Sequence, residues 1–471
     1  MQLIVKVIIK MNKYDSIIVG GGVSGLLSAL VLSKSGKKVL VIEKKKHLGN
    51  NCNSYVVDGY QVDTGPHAIT QLFKGGPLNY LMDNYFDYVP VFIDYGDYFI
   101  RDEDGLKEVP TTLKGYLTMD LLPIKDRIII TQALTKMLLL WELGNDISNV
   151  SVQECLPWDD LSSDTIEFMN TFSYFLSGKP AKETSVQRMF VGGGFIDEDV
   201  ESYIGNKSNG YEYIYDKFKK MSNISKLLNN NKVDYNQFYP RNGLKAILKA
   251  ILYSLPETVE IKKGCPIEQI IIENNIAKGV LTKEDSYFAD TIIYSAFAKD
   301  LPLYVMNLPE SYVSDLNKIK QSRSLTIWLG LDEKFKEFNY MGGEVFFKNK
   351  PFWAMPISNY NKSFAPQGKK LVGFMFPINE NSSLKSEKLD AYNTILRVYP
   401  GIKNYIDMIH YQITIPEKAS VSINGFIADT VTPIKSLYLV GTDIDSHSMG
   451  ITRASYSVIK LIKVLKKNGV I

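Results

Sequence analysis

The sequence predicts an α/β fold: a Rossmann-like parallel sheet built around one dinucleotide-binding unit, with an inserted α+β section. Three observations predict it. A glycine fingerprint sits near the start of the chain, between an apolar strand and a helix-like run. The α/β pattern returns at Tyr239 after a long stretch of different character. A last buried strand runs into Gly441-Thr442-Asp443, a glycine followed by an acid.

Residues 14–43 read YDSIIVGGGVSGLLSALVLSKSGKKVLVIE. An apolar run at 16–19 enters a turn with Gly20, Gly22 and Gly25 in G-x-G-x-x-G spacing. A helix follows, then a second apolar strand at 39–42 that ends in Glu43. Strand, glycine turn, helix, strand and terminal acid together form a unit shaped for a dinucleotide. Gly20 permits the tight turn, Gly22 leaves room for a pyrophosphate, and Gly25 lets the helix approach the strand. The helix N-terminus offers free N–H groups and a positive dipole end to phosphate. Glu43 stands where an acid would meet a ribose.

The length of 471 residues supports two or three domains and a large core. A net charge of +3 gives no global sign of nucleic-acid binding. The short basic runs Lys44–Lys46 and Lys466–Lys467 read as solvated surface. Cys52, Cys155 and Cys265 are scattered and odd in number, which fits a reducing, cytoplasmic setting rather than a disulfide framework. No Cys/His cluster suggests a metal, so none is expected. No uninterrupted apolar segment reaches the length of a membrane span. The opening MQLIVKVIIK is short for a signal peptide and carries two lysines; it reads as an extra strand or as sequence ahead of a start at Met11.

From about residue 81 to 238 the pattern changes. Short β-like runs at 88–100 give way to a helical stretch at 121–143, in which Arg127, Gln132 and Lys136 interrupt an apolar series. That pattern fits a mostly buried helix or one lying on a membrane surface. Gly192-Gly193-Gly194 lacks a strand–helix frame and reads as a loop. After YPRNG (239–243) come a helix at 244–253, a strand at 259–262, and strands at 267–272 and 276–282 around a Glu273-Asn274-Asn275 turn. A buried strand at 289–295 follows, then a β-rich section over 306–414 with strands at 324–331 and 370–376. The strand at 436–440 and a helix at about 451–465 close the chain. At the carboxyl end of a parallel strand, Asp443 would face a ligand crevice, or serve as a simple cap or turn residue. Gly450 precedes the last helix, whose N-terminal N–H groups would meet a partly negative ligand atom.

These segments resemble the FAD-dependent amine-oxidase and phytoene-desaturase superfamily, especially its carotenoid desaturase/isomerase branch. The likeness is carried by the N-terminal unit, by Asp63-Thr64-Gly65-Pro66 in GYQVDTGPHAI, and by YPRNGLKAILKAI. The strands at 259–295, the Ala365-Pro366-Gln367-Gly368-Lys369 turn and LYLVGTDID complete it, all in the family's order. The resemblance implies a Rossmann-like FAD-binding domain of the glutathione-reductase/amine-oxidase type, over 11–80, 237–305 and 415–471. An inserted, partly helical α+β substrate domain would take 81–236 and 306–414.

FAD would be held by Gly20, Gly22, Ser24 and Gly25 at the pyrophosphate and by Glu43 at the adenosine ribose. Lys44, Gly49, Asn50, Asn51, Gly65 and Pro66 would line the same cofactor. Residues 259–261 would lie at the adenine, and Pro266 and Ile267 would also contact the cofactor. Gly441 and Asp443 would meet the ribityl chain or pyrophosphate, and Met449, Gly450 and Ile451 the pyrimidine edge of the flavin. One departure is clear. Where the family carries a Gly-Gly-Arg run, this chain has Gly49-Asn50-Asn51, so a positive charge is missing. That run is also similar to the one in UDP-galactopyranose mutase, a related flavoprotein.

The implied activity is desaturation or saturation of a carotenoid or other polyprenyl lipid by hydride exchange with flavin N5. His67 and His447 are the acid–base candidates. The alternatives are a redox-neutral carotenoid isomerase, an amine oxidase, a mutase-like enzyme, or a prenyl-lipid escort protein without flavin. The expected partners are a hydrophobic isoprenoid substrate, a quinone or oxygen as electron acceptor, and peripheral membrane contact, with no nucleic acid. The aromatic content, 12% of residues, permits a long apolar cavity.

Overall fold

The computed structural model describes residues 13–65, 67–102, 105–109, 115, 118–192, 237–378 and 382–471. Residues 1–10, Met11, Pro66, Gly193 and Gly194 lie outside the described residues. β1 (Lys13–Val19) leads through a glycine turn into α1 (Val23–Lys34) and then β2 (Val39–Glu43). β1 and β2 pair in parallel, Ser16 with Val39 through Val19 with Ile42. β2 is flanked by the parallel strand Val259–Lys263, and β1 by Ser286–Tyr294.

The Ser286–Tyr294 strand joins two parts of the sheet. Its first half pairs with Ile276–Thr282 of an antiparallel hairpin. Its second half pairs in parallel with the last strand, Leu437–Leu439. The hairpin turns at Asn274 and Asn275, with φ of 50° and 60°, a left-handed pair that Asn tolerates better than most residues. β1, Ser286–Tyr294 and Leu437–Leu439 therefore end side by side, so the opening glycine turn and the closing Gly441–Asp443 segment share one edge of one sheet.

α1 carries apolar side chains all round, and Val23 through Ser33 are buried. It is covered on the sheet side by the strands and outside by the last helix, Gly450–Lys467, in a core that includes Leu26, Leu30, Val458 and Ile462. Ser28 and Ser33 satisfy their hydroxyls within the helix, on Ser24 O and Leu30 O, which makes their burial cheap. The last helix is two-faced and ends in Lys466 and Lys467, favourable at the negative end of the helix dipole.

A second sheet is mainly antiparallel. It runs Ile406–Thr414, Ser324–Asp332, Lys369–Pro377, Phe352–Met355, Gly342–Phe346, Asp97–Asp102, Gly105–Glu108. One face buries Phe338, Phe352, Phe374 and Tyr399. The other buries Tyr60, Tyr239, Trp328 and Tyr360.

The helix Ile124–Glu142 departs from the mostly buried reading of its sequence. Ile130 and Leu138 are buried, but Ile124, Ile128 and Leu139, together with Leu143 just beyond the helix, are exposed. The interruptions by polar residues fall on both faces, so charge alone does not mark the outer side. Among the described residues, no helix is long and apolar enough to cross a membrane.

Candidate functional site

The glycine turn is tied down by Glu43. Gly21 N donates to Glu43 Oε2 at 2.7 Å, and Lys45 N donates to Glu43 Oε1 at 2.8 Å. The carboxylate is buried at 2% exposure, so its first task is to hold the turn against the end of β2. Each oxygen keeps a second lone pair for a ligand hydroxyl.

The glycines divide the work as the sequence suggests. Gly20 has φ of +113°, a region that L side chains rarely adopt. A Cβ on Gly25 would stand 2.1 Å from Gly20 O, so only glycine lets α1 begin this close to β1. A Cβ on Gly22 would meet only Asn50 Nδ2, at 3.4 Å. That position is therefore free of the protein's own atoms on its outer side. Ser24 is buried in the first turn of α1.

Gly49 and Asn50 close the turn from the other side. Gly49 N donates to Gly21 O at 2.8 Å, with φ of +90° at Gly49 and +46° at Asn50. Asn50 Oδ1 is buried without a hydrogen-bond partner. Asn51 points elsewhere and donates to Ile415 O at 2.7 Å. Lys44 is exposed. Gly264 N and Cys265 N donate to Lys45 O and Glu43 O, which brings Pro266 and Ile267 beside the acid end of β2. Residues 259–261 do not share that place. They pair with Val39–Val41, and it is Lys263 that lies opposite Glu43. The strand's direction decides this: its carboxyl end, not its beginning, faces the crevice.

Asp443 is 1% exposed. Its Oδ2 accepts from Ala298 N at 2.7 Å, while Oδ1 is buried with no hydrogen-bond partner. Burial pushes its carboxyl up, against the opposing charge of Lys418. It does not cap the last helix, whose N-cap is Met449. Gly441, with φ of +153°, is packed so tightly that a Cβ would stand 2.4 Å from Asp443 Oδ1 and 3.0 Å from Lys418 Nζ.

The entry to the last helix corrects one expectation. Gly450 is its first residue, not the residue before it, and its N–H is already taken by Glu417 Oε1 at 2.6 Å. Glu417 Oε2 lies 3.1 Å from Nη1 of the buried Arg453. That guanidinium also donates to Ser448 O, Ala419 O and Thr442 O. Burial pushes the Glu417 carboxyl up, and Arg453 opposes that shift. Ile451 N and Thr452 N remain as first-turn donors without intrahelical acceptors. Glu417, Lys418 and Arg453 carry no sequence signal: they belong to no recognisable spacing, and only the fold brings them to the glycine turn's edge of the sheet.

Gly65 and His67 follow the hairpin Ser54–Val57/Tyr60–Asp63. Gly65 has φ of +89°, and a Cβ there would sit 3.4 Å from His67 Nε2 and 3.9 Å from Thr326 Oγ1. His67 Nε2 is 2.9 Å from Thr64 O, so the proton is on Nε2 and Nδ1 is the acceptor. Burial lowers its pKa, favouring the neutral ring. Thr326 Oγ1 and Gln412 Oε1, on paired positions of the second sheet, are buried and unpartnered. His447 Nδ1 lies 2.6 Å from Asp445 Oδ1, and its ring packs on Tyr456. The two histidine segments meet where Thr70 Oγ1 bonds Ser448 Oγ at 2.7 Å and Tyr456 Oη donates to Gln71 Oε1 at 2.8 Å. Gln71 and Ser448 both adopt left-handed backbone, φ 56° and 51°, a strained state held by this junction.

The residues present fit a dinucleotide cofactor. The open space at Gly22 and the unpartnered Asn50 Oδ1 lie at the N-terminus of α1, and the unpartnered Asp443 Oδ1 lies two strands away on the same sheet edge. Each is a buried acceptor whose cost is relieved by a ligand donor. Among the described residues, no cluster of His, Cys, Asp or Glu could hold a metal ion.

Comparison with known proteins agrees with this geometry. Residues 18–85 match the model of a NAD(P)-binding Rossmann-like domain. An uncharacterised protein from the nifH2 3′ region of Methanothermococcus thermolithotrophicus is 51% identical over 102 residues, 22% of this chain and 97% of that protein. The all-trans-retinol 13,14-reductase of Rattus norvegicus is 32% identical over 103 residues, 21% of this chain and only 17% of that enzyme. The 4,4′-diapolycopen-4-al dehydrogenase of Metabacillus indicus is 19% identical over 438 residues, covering 83% of this chain and 81% of that enzyme. Among solved structures, an oxidoreductase from Methanosarcina mazei superposes with a TM-score of 0.73 at 19% identity, over 96% of this chain and all of the other. Putrescine oxidase does so with a TM-score of 0.68 at 13% identity, over 97% of this chain and 99% of the other. With the glycine turn, the terminal acid and the closing Gly441–Asp443 segment on one sheet edge, this chain carries a Rossmann-like dinucleotide-binding unit and shares its overall fold with these oxidoreductase structures.

Proposed function

We propose that this chain is an FAD-dependent oxidoreductase that desaturates or saturates a carotenoid or other polyprenyl lipid. One observation carries the reading: the glycine turn and Asp443 follow strands that both pair in parallel with Ser286–Tyr294, two strands apart on one edge of a single sheet, so both can serve one extended cofactor. The names of distant relatives, a retinol reductase and a diapolycopenal dehydrogenase, supply the substrate class.

In this reading Gly20, Gly22, Ser24 and Gly25 hold the pyrophosphate, Glu43 the ribose, and Pro266 and Ile267 the adenine. Gly441 and Asp443 take the ribityl chain, and Met449, Gly450 and Ile451 the pyrimidine edge. FAD, when bound, supplies hydride exchange at its N5. The chain's own residues bind, orient and manage the proton. His67, neutral and with Nδ1 as acceptor, would receive a proton from the lipid carbon next to the reacting one. His447, oriented by Asp445, is the second candidate. The segments 11–80, 237–305 and 415–471 would form the cofactor domain, and 81–236 with 306–414 the substrate domain. The strand content supports this: the first sheet draws only on the former set and the second only on the latter. The exposed Ile124, Ile128, Leu139 and Leu143 support contact with a membrane surface, from which a lipid substrate would be drawn.

The test is twofold. Purified protein should show a flavin spectrum, alone or after addition of FAD; a preparation that stays colourless with added FAD removes the enzyme reading and favours the escort alternative. Mass spectrometry of lipids from cells expressing the chain should then show a change of two hydrogens per step. An unchanged mass with altered geometry would mark an isomerase.

A further inference from the structure

We propose that Lys418 is the cation that faces the pyrophosphate of the bound cofactor, filling the role that Gly49-Asn50-Asn51 leaves open. The inference rests on the FAD reading above and assigns the charge that reading lacks. Lys418 Nζ donates to Ser295 O at 2.8 Å and to Ala296 O at 2.7 Å. Those carbonyls end the strand beside β1, and the Ser295 carbonyl carbon is 3.2 Å from where a Cβ on Gly20 would stand. The ammonium therefore sits at the lip of the glycine turn. Its side chain retains 21% exposure, so a ligand can reach it.

The ammonium's bonding is incomplete. It has three donors. Two go to carbonyls, and the nearest carboxylate oxygen, Asp443 Oδ1, is 4.0 Å away and has no hydrogen bond of its own. Burial lowers the Lys418 pKa, while Asp443, Asp300 and Glu43 pull it back up. A cation so placed, next to the positive end of α1, suits a phosphate oxygen: a charge-assisted bond would use its third donor.

Other cations near the turn are engaged or turned outward. Arg453 is paired with Glu417 and bonded to three backbone carbonyls. Lys44, Lys45 and Lys46 are exposed.

The experiment measures FAD affinity of the full chain by flavin fluorescence at several salt concentrations. Lys418→Gln keeps a donor for the carbonyls but removes the charge; Lys418→Met is the second variant should Gln not fold. The expected result is FAD binding weakened by about tenfold or more, with a shallower salt dependence, because one ionic contact is gone. Lys418→Arg should recover most of the affinity. The double variant Lys418→Gln/Asp443→Asn should not recover it. FAD affinity within about twofold of wild type in the neutral variants overturns the proposal. So does full recovery in the double variant, which would mean that Lys418 only neutralises Asp443. Wild-type protein that does not bind FAD at all fails the cofactor reading itself, a separate outcome.

Discussion

The Tyr239 hydroxyl donates to Asp63 Oδ2 at 2.6 Å, across 176 residues of sequence. Asp63 opens the Asp63-Thr64-Gly65-Pro66 segment, and Tyr239 opens YPRNG. The same carboxylate accepts from Ser54 Oγ at 2.5 Å and from Leu244 N, so one buried acid joins a hairpin to the start of the helix Lys245–Ser254. Two motifs that read as separate blocks of the family resemblance are, at this residue, a single structural knot. Tyr239→Phe leaves a buried carboxylate one donor short. It should cost about 1.5–3 kcal/mol in urea unfolding, with FAD affinity little changed.

Burial raises the Asp63 carboxyl from 3.8 to about 6, against the hydrogen bonds from Ser54, Tyr239 and Leu244. A raised acid binds its proton more tightly in the folded state. Its stabilising contribution is therefore complete below the unfolded value near 4 and is lost as pH rises through about 6. Relative to Asp63→Asn, which does not titrate, wild-type protein should lose on the order of 3 kcal/mol between pH 4 and pH 7. Urea midpoints of the two proteins across that range check it; a constant difference would refute the shift.

The glycines of the turn should separate folding from binding. Gly25→Ala forces a methyl to 2.1 Å from Gly20 O and should destabilise the protein by at least about 2 kcal/mol. Gly22→Val meets only the Asn50 amide, so thermal unfolding of the apoprotein should change little. Its branched side chain fills the phosphate space, and FAD retention should be lost. Yellow protein from Gly22→Val would remove the phosphates from this turn.

Glu417 neutralises Arg453 at the head of the last helix and holds Gly450 N. Glu417→Ala leaves a buried guanidinium without its carboxylate. The expected cost is about 3 kcal/mol, at the lower end for a broken buried pair because three backbone carbonyls remain bonded to Arg453. Chemical denaturation measures it; a neutral result would mean that those carbonyls suffice.

Membrane contact through the helix Ile124–Glu142 predicts that Ile128→Glu and Leu139→Glu together lower recovery with sedimenting phospholipid vesicles severalfold. Both side chains are about half exposed, 45% and 46%, so the variants should fold as the wild type does.

What the amino-acid order determined by itself was local. The spacing of Gly20, Gly22 and Gly25, the apolar runs around them and the acid at Glu43 are short-range signals. They set backbone conformation and side-chain period within a few dozen residues, and the strands and helices they predict are those observed. The Asn274-Asn275 turn was legible for the same reason. The tertiary structure alone decided which distant groups share a space. Lys418, Glu417 and Arg453 reach the cofactor edge because the last strand pairs in parallel beside Ser286–Tyr294, a long-range choice that leaves no periodic trace. The placement of Lys263 rather than residues 259–261 beside Glu43 followed from strand direction and register. Asp63 became an anchor for Tyr239 because a buried carboxylate must find several donors, and beyond Ser54 those within reach lay far away in sequence.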